Sequence, residues 1–168
     1  ERGACGGCWC MWWRLPLAQW RRQKGEANRK ALRSVVNSGR PPGLLAYVKD
    51  EPVGWCAFAP REDYPRLANS RLLKPVDDQP VWSITCFFVA RTYRRRGVTV
   101  ALLREAVRYA ARRGVKILEG YPSEPREGNP AVGYFHGLVP AFRKTGFSEV
   151  ARRSPVRPIF RRGLKTKV

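Results

Sequence analysis

Long apolar runs, acids, histidine and a pairable set of cysteines are all scarce in this chain, and each shortage closes off a class of function. No apolar stretch approaches the roughly 20 residues that a bilayer-spanning helix needs, so a membrane role is not expected. The chain opens at Glu1 without Met and without the basic-then-apolar order of a secretory signal. No export signal is read there, and the missing Met suggests a trimmed or incomplete start. Five cysteines cannot all pair within one chain, so a full disulfide framework is excluded and a reducing cytoplasm is the expected setting. Cys56 and Cys86 lie in apolar, strand-like runs where buried thiols are common. Cys5, Cys8 and Cys10 offer three thiolates, but zinc asks for four ligands. With no second Cys-x-x-Cys and a lone histidine, His136, no metal is expected. No internal repeat is present.

What the chain does have is base, aromatic residues and enough length for one core. Its 33 Lys and Arg against 13 Asp and Glu give a formal charge of +20. The bases are mostly Arg and are spread from end to end. A solvated basic surface is therefore the first expectation, with local use against the phosphates of a small ligand. The acids gather in 50–78, with Glu62, Asp63, Asp77 and Asp78 in a long loop. At 168 residues, 43% apolar and with six Trp, the chain suits one globular domain spanning 1–168.

The pattern along the chain is helical from Leu17 to Ser38, with a break near Gly25, and stops at Gly39-Arg40-Pro41-Pro42-Gly43. Leu44–Lys49 and Val53–Ala59 read as strands joined across Asp50-Glu51-Pro52, and 60–80 as a long irregular loop. A strand is expected over 81–89, a helix over 98–113, a strand over Val115–Tyr121 and a polar loop over Pro122–Pro130. A helix over Ala131–Thr145, delayed near Pro140, then precedes a strand opened by Gly146-Phe147. Pro155–Arg161 suggests one strand more. This order implies an α/β (α+β) domain with a mixed sheet.

The most informative stretch is Val81-Trp82-Ser83-Ile84-Thr85-Cys86-Phe87-Phe88-Val89 followed by Ala90-Arg91-Thr92-Tyr93-Arg94-Arg95-Arg96-Gly97-Val98-Thr99. A buried strand there runs into an arginine-and-glycine turn that opens a helix. Such a turn aims several backbone N–H groups at one spot, where the positive end of the helix dipole adds its pull; phosphate suits it. The helix is expected to turn Val98, Ala101, Leu102, Ala106, Tyr109 and Ala110 inward and Arg104, Glu105, Arg108 and Arg112 outward.

The segment Arg94-Arg95-Arg96-Gly97-Val98-Thr99 resembles the Gln/Arg-x-x-Gly-x-Gly/Ala signature of the GNAT acyltransferase superfamily, with Thr99 departing from the usual Gly/Ala. The apolar strand before it, the helix ending at Gly114 and the later Gly146-Phe147 pair agree with that family. The resemblance covers roughly 43–152, taken as the core, while 1–42 reads as a helical segment that shapes the acceptor site and lacks the family's usual opening strand. It implies a GNAT-like fold, a mixed, mostly antiparallel sheet flanked by helices. It implies acetyl-CoA as cosubstrate and an amine of a small molecule or protein as acceptor, with no membrane partner and with room for a homodimer. Backbone groups of Phe87, Phe88 and Val89 would hold the pantetheine arm, and Arg94, Arg95, Arg96, Gly97, Val98 and Thr99 the pyrophosphate.

The family's usual catalytic positions are changed. Ser83 stands where relatives carry a Glu base, and could at most hold a relaying water. Phe142 stands where a Tyr proton donor is usual. Tyr134 and His136 are the nearby alternatives, since His titrates near neutral pH. A mechanism without a dedicated base also remains, because positioning supplies much of the rate. The aromatic cluster offers Trp12, Trp13 and Tyr64 as candidates to grip an acceptor, with core packing as the plainer reading. Two rival functions stand beside the enzyme. The charge motivates an RNA-directed, aminoacyl-tRNA acetyltransferase; the missing Glu and Tyr motivate a non-catalytic CoA sensor.

Overall fold

The apolar runs on either side of Asp50 form a hairpin in the computed structural model, which describes residues 6–125 and 134–165. Strand β1 (Gly43–Val48) lies antiparallel to β2 (Glu51–Pro60). The turn is tighter than the sequence suggests: Lys49 and Asp50 form it, Lys49 takes a left-handed φ of 53°, and Glu51 and Pro52 already belong to β2. Pro52 sits beside a register shift between Ala46 and Tyr47, where strands tolerate proline.

Four more strands complete the sheet: β3 (Trp82–Val89), β4 (Ile117–Gly120), β5 (Ser148–Arg152) and β6 (Pro158–Gly163). Their order is β1-β2-β3-β4-β6-β5, with β3–β4 the parallel pair and the other neighbours antiparallel. Helices α1 (Leu17–Arg22) and α2 (Glu26–Asn37) precede the sheet and part at Gly25, whose φ is 92°. The short α3 (Pro65–Ala68) lies in the long loop, and α4 (Val98–Arg112) crosses from β3 to β4. The mixed sheet is the one expected from the order of elements, and its mostly antiparallel pairing with flanking helices is the architecture the resemblance implied.

The last helix, α5 (Val139–Lys144), is much shorter than the 131–145 expected. Pro140 has no N–H and is tolerated only in a first turn, so the helix begins beside it. The residues before it do other work: the Phe87 N–H donates to the Phe135 carbonyl, and Gly137 takes a φ of 83°. Residues 131–133 of that expected helix, and Cys5, lie outside the described residues.

On one face of the sheet, α4 packs Leu102, Leu103, Ala106 and Ala110 against Phe58, Ile84, Phe87, Leu118 and Phe142. Ala101, expected inside, is exposed, and Leu103 is buried in its place. A leucine gains about 1.5–3 kcal/mol from burial and an alanine far less, so the helix turns its larger side chain inward. On the other face a second cluster gathers Trp13, Ala59, Tyr64, Leu67, Leu73, Tyr121 and Ile159. The amino-terminal segment is fastened there by the Trp13 carbonyl, which accepts from the Arg66 N–H, and by Arg14, which donates to Asp63 at 3.2 Å.

Candidate active site

The parallel contact between β3 and β4 is only three residue pairs long: Trp82 with Leu118, Ser83 with Glu119, and Ile84 with Gly120. Beyond Ile84 the strands part. Cys86 to Val89 keep their antiparallel ladder with β2 on one edge, while Thr85 falls at a register shift. On the other edge the Phe87 N–H is taken by the Phe135 carbonyl, while Ser123 bridges Leu138 in parallel. The opening between the strands is thus crossed by the segment that leads into α5.

At the end of β3 the chain makes the turn anticipated from sequence. Arg94 is extended, Arg95 has φ 58° and Gly97 has φ 81°, after which Val98 starts α4. Left-handed residues in close succession turn backbone N–H groups toward a common concavity, and a helix N-terminus leaves its first N–H groups without intrahelical partners. Arg95, Arg96 and Gly97 are exposed, and none of the three arginines here forms an ion pair among the described residues. Arg94 Nε donates to the Val89 carbonyl at 3.1 Å, tying the turn to the strand, and the Arg96 guanidinium lies 5.7 Å from the Tyr93 ring centre. Three cations without ion pairs and orphan N–H donors fit a pyrophosphate, and a carboxylate beside the turn, Glu51, is taken by the Tyr93 hydroxyl at 3.3 Å. Thr99 is half-buried in the first turn of α4.

The face opposite α4 carries a sealed polar network. Glu119 is fully buried and accepts from Arg61 and Tyr121 on one oxygen, each at 2.6 Å, and from Arg161 on the other at 2.7 Å. Arg161 also reaches Asp77 at 2.7 Å, and Arg61 donates to the carbonyls of Leu67 and Leu73. Tyr121 lies 2.8 Å from Ser83, oxygen to oxygen. Burial and the adjacent Glu119 carboxylate hold the Tyr121 phenol well above its ordinary range. Ser83, itself fully buried, therefore ends a network in which its hydroxyl is already bonded. Glu119, Tyr121, Arg61 and Arg161 were not anticipated. The available signal was an acid standing alone in the apolar run Ile117-Leu118-Glu119-Gly120-Tyr121, since acids are almost never fully buried unless paired.

Tyr134 and His136 occupy the segment that crosses the opening. Tyr134 is half-buried and its carbonyl accepts from Gly137. His136 is 1% exposed, lies against the Phe135 and Trp13 rings, and neither ring nitrogen has a partner. Burial, with help from Arg157, pulls its pKa well below 6.5, so the ring is neutral at neutral pH. Trp13 is its neighbour across 5.7 Å and carries its own unpartnered Nε1. Trp12 stands edge-on to Trp13 and Trp20, with the Arg66 guanidinium 3.8 Å from its ring centre. Tyr64 is 1% exposed inside the second core cluster and takes a hydrogen bond from Arg14. Trp13 and His136 are thus brought together; Tyr64 is packed inside, and Ser83 is sealed under Tyr121. Phe142 is fully buried, ringed by Phe87, Phe147 and Phe160, and lies so close to Gly120 that a Cβ there would overlap its ring.

Cys10 accepts from Trp55 Nε1 at 3.2 Å, and a hydrogen bond from Cys86 draws its thiol pKa down. Cys8, Cys10, Cys56 and Cys86 form no disulfide. Among the described residues no group of three or more His, Cys, Asp or Glu is placed to hold a metal, and no helix is long and apolar enough to cross a membrane.

Residues 9–137 match the model of the acetyltransferase (GNAT) family. Among curated proteins none matches by sequence. Solved structures share the fold. A GNAT-family acetyltransferase from Desulfovibrio desulfuricans superposes with a TM-score of 0.55 at 17% identity, over 84% of this chain and 81% of that one. Ribosomal-protein-alanine N-acetyltransferase from Brucella melitensis gives 0.54 at 19%, over 83% and 78%. PaiA N-acetyltransferase from Thermoplasma acidophilum, solved with coenzyme A, gives 0.53 at 15%, over 94% and 86%.

Proposed function

The chain belongs to the acetyltransferase (GNAT) family, and from that premise we propose that it is an N-acetyltransferase moving the acetyl group of acetyl-CoA to an amine. The observation that carries this reading is the turn at Arg94–Thr99, with its left-handed Arg95 and Gly97, exposed guanidinium groups and uncontested N–H donors beside the opening between β3 and β4. In this reading the pyrophosphate rests on Arg94, Arg95, Arg96, Gly97, Val98 and Thr99. The pantetheine arm runs along Phe87, Phe88 and Val89. Lodging it there requires the Phe135 carbonyl to release the Phe87 N–H.

Acetyl-CoA supplies an activated thioester. The chain must then relieve the attacking amine of a proton and return one to the sulfur. His136, neutral and without a hydrogen-bond partner, is the group we assign to receive the amine's proton. It is 1% exposed, so it can do so only after the crossing segment shifts, the same release that frees the Phe87 N–H. Tyr134, two residues away, is assigned to protonate the sulfur. Ser83 acts only through Tyr121, as a positioning residue. The described part of 1–42 supplies the acceptor side through Trp12 and Trp13, and 43–152 supplies the cofactor side.

Calorimetric titration with acetyl-CoA and CoA tests this directly. Saturable binding at micromolar to millimolar concentration is expected, and its absence would sink the proposal. One observation favours a second reading, a CoA-binding sensor: Ser83 and Phe142, at the family's base and acid positions, are both sealed in. Turnover of acetyl-CoA with any of a panel of amines rules that reading out.

A further inference from the structure

Beside Trp13 lies a cavity of about 460 Å³ lined by Trp13, Pro16, Leu17, Arg66, Asn69 and Ser70. Its volume falls within the range of small-molecule sites, about 300–1,000 Å³. One wall is apolar, and the polar wall holds a cation, an amide and a hydroxyl but no acid.

The cation is fixed before anything binds. One Arg66 nitrogen donates to the Trp12 carbonyl at 2.9 Å, and the guanidinium lies 3.8 Å from the Trp12 ring centre. Arg66 forms no ion pair with a carboxylate among the described residues, and partial burial together with Arg21 disfavours its charge. Ser70 Oγ accepts from the Leu73 N–H, which leaves its own proton to donate. Trp13 Nε1 is a buried donor with no partner. The wall therefore offers the Arg66 guanidinium and the Ser70 hydroxyl as donors, with the Trp13 ring rather than its sealed Nε1 facing the cavity, and a rigid guanidinium fork matches a planar carboxylate. A polyamine without an acid would meet Arg66 as a like charge.

The same Trp13 that bounds this cavity touches the His136 ring at 5.7 Å between centroids. Resting on the acetyl-transfer reading, we propose that the acceptor is a small amine bearing a carboxylate, an amino acid, whose acid is held by Arg66 and whose amine is presented along Trp13 toward His136. Pro16, Leu17 and Trp13 then face its hydrocarbon part.

The test compares initial rates of CoA release with α-amino acids, with the amines left when their carboxylates are removed, and with O-phosphoethanolamine. Wild type, Arg66→Met and Arg66→Lys are assayed, and each is titrated with CoA. Amino acids are expected to exceed their decarboxylated partners in kcat/KM by about 10- to 100-fold, the worth of a charge-assisted hydrogen bond. Arg66→Met should raise KM and erase that preference while CoA binding stays unchanged. Arg66→Lys, which keeps the charge and loses the fork, should fall between. Equal rates without the carboxylate, or a preference for the phosphate, overturn the assignment and leave acetyl transfer standing. Loss of CoA binding by the wild type removes both. Where CoA binds but no compound turns over, tryptophan fluorescence of the CoA-saturated protein is titrated with the same compounds, and a response independent of the carboxylate overturns the proposal.

Discussion

The arginines of the 94–99 turn and the arginines around Glu119 are the same residue put to opposite uses. Arg95 and Arg96 stand in solvent beside orphan N–H groups and form no ion pair among the described residues. Arg61 and Arg161 are largely buried and locked onto one carboxylate from two sides. A guanidinium kept in water is available to a phosphate. One taken out of water is stable only while its partner stays, because an unpaired buried charge is heavily penalised. Chemistry open to ligands and chemistry that holds the sheet together are therefore separated by burial, not by residue type.

The largest test of that contrast is Glu119→Ala. It leaves Arg61 without a carboxylate and Arg161 with Asp77 alone, and should remove about 3–5 kcal/mol of stability, seen as a much lowered melting temperature or loss of folded protein. Arg95→Ala and Arg96→Ala together should leave the melting temperature almost unchanged; an equal loss of stability at both sites would dissolve the distinction.

At the turn itself, Gly97→Val meets no neighbour, since nothing lies within 4 Å of a Cβ built there, but φ 81° suits a side chain poorly. Strain of about 1–2 kcal/mol is expected, with weaker CoA binding as the turn relaxes. Unchanged CoA affinity in this variant would argue that the left-handed geometry is not used.

Protonation offers a test on the acceptor side. The folded state holds His136 neutral, with its pKa well below 6.5, whereas the unfolded chain protonates it near 6.5. Below that pH the unfolded state binds the extra proton, so this contribution to stability is full above about 6.5 and is lost as pH falls. The slope is at most about 1.4 kcal/mol per pH unit. In denaturant titrations from pH 7 to 5, His136→Phe should flatten the dependence; an identical slope would show that His136 is not the group responsible. Smallest of all, single replacements of Arg95 or Arg96 should weaken CoA by a few-fold, about 1 kcal/mol, and less at high salt, where exposed charges are screened.

Much of the strand, turn and helix proposed for the cofactor was legible in the chain because it is contiguous. A buried strand, a turn with Gly97 and an amphipathic helix follow one another within 82–112, and local rules of periodicity and helix entry are enough to read them. Even there a limit showed: the choice between Ala101 and Leu103 for the inward face depended on what the sheet presented. The helix expected over 131–145 failed for a related reason. Pro140 marked a boundary in the sequence, yet that the preceding residues would cross to Phe87 is a long-range bond with no local signature.

The proposed acceptor groups and the buried network behind them were hidden because their parts are scattered. Trp13, Arg66, Ser83, Glu119, Tyr121, His136 and Arg161 come from six separate stretches and meet only when β3 lies beside β4 and the amino-terminal segment folds across them. By itself the sequence determined the fold class and the phosphate-ready turn, since both follow from short-range pattern and backbone freedom. Which arginines are spent and which are free, and which candidate side chains are sealed in, was decided only by tertiary structure. Burial belongs to the neighbours that packing brings together, and it alone sets the cost of leaving a charge unpaired.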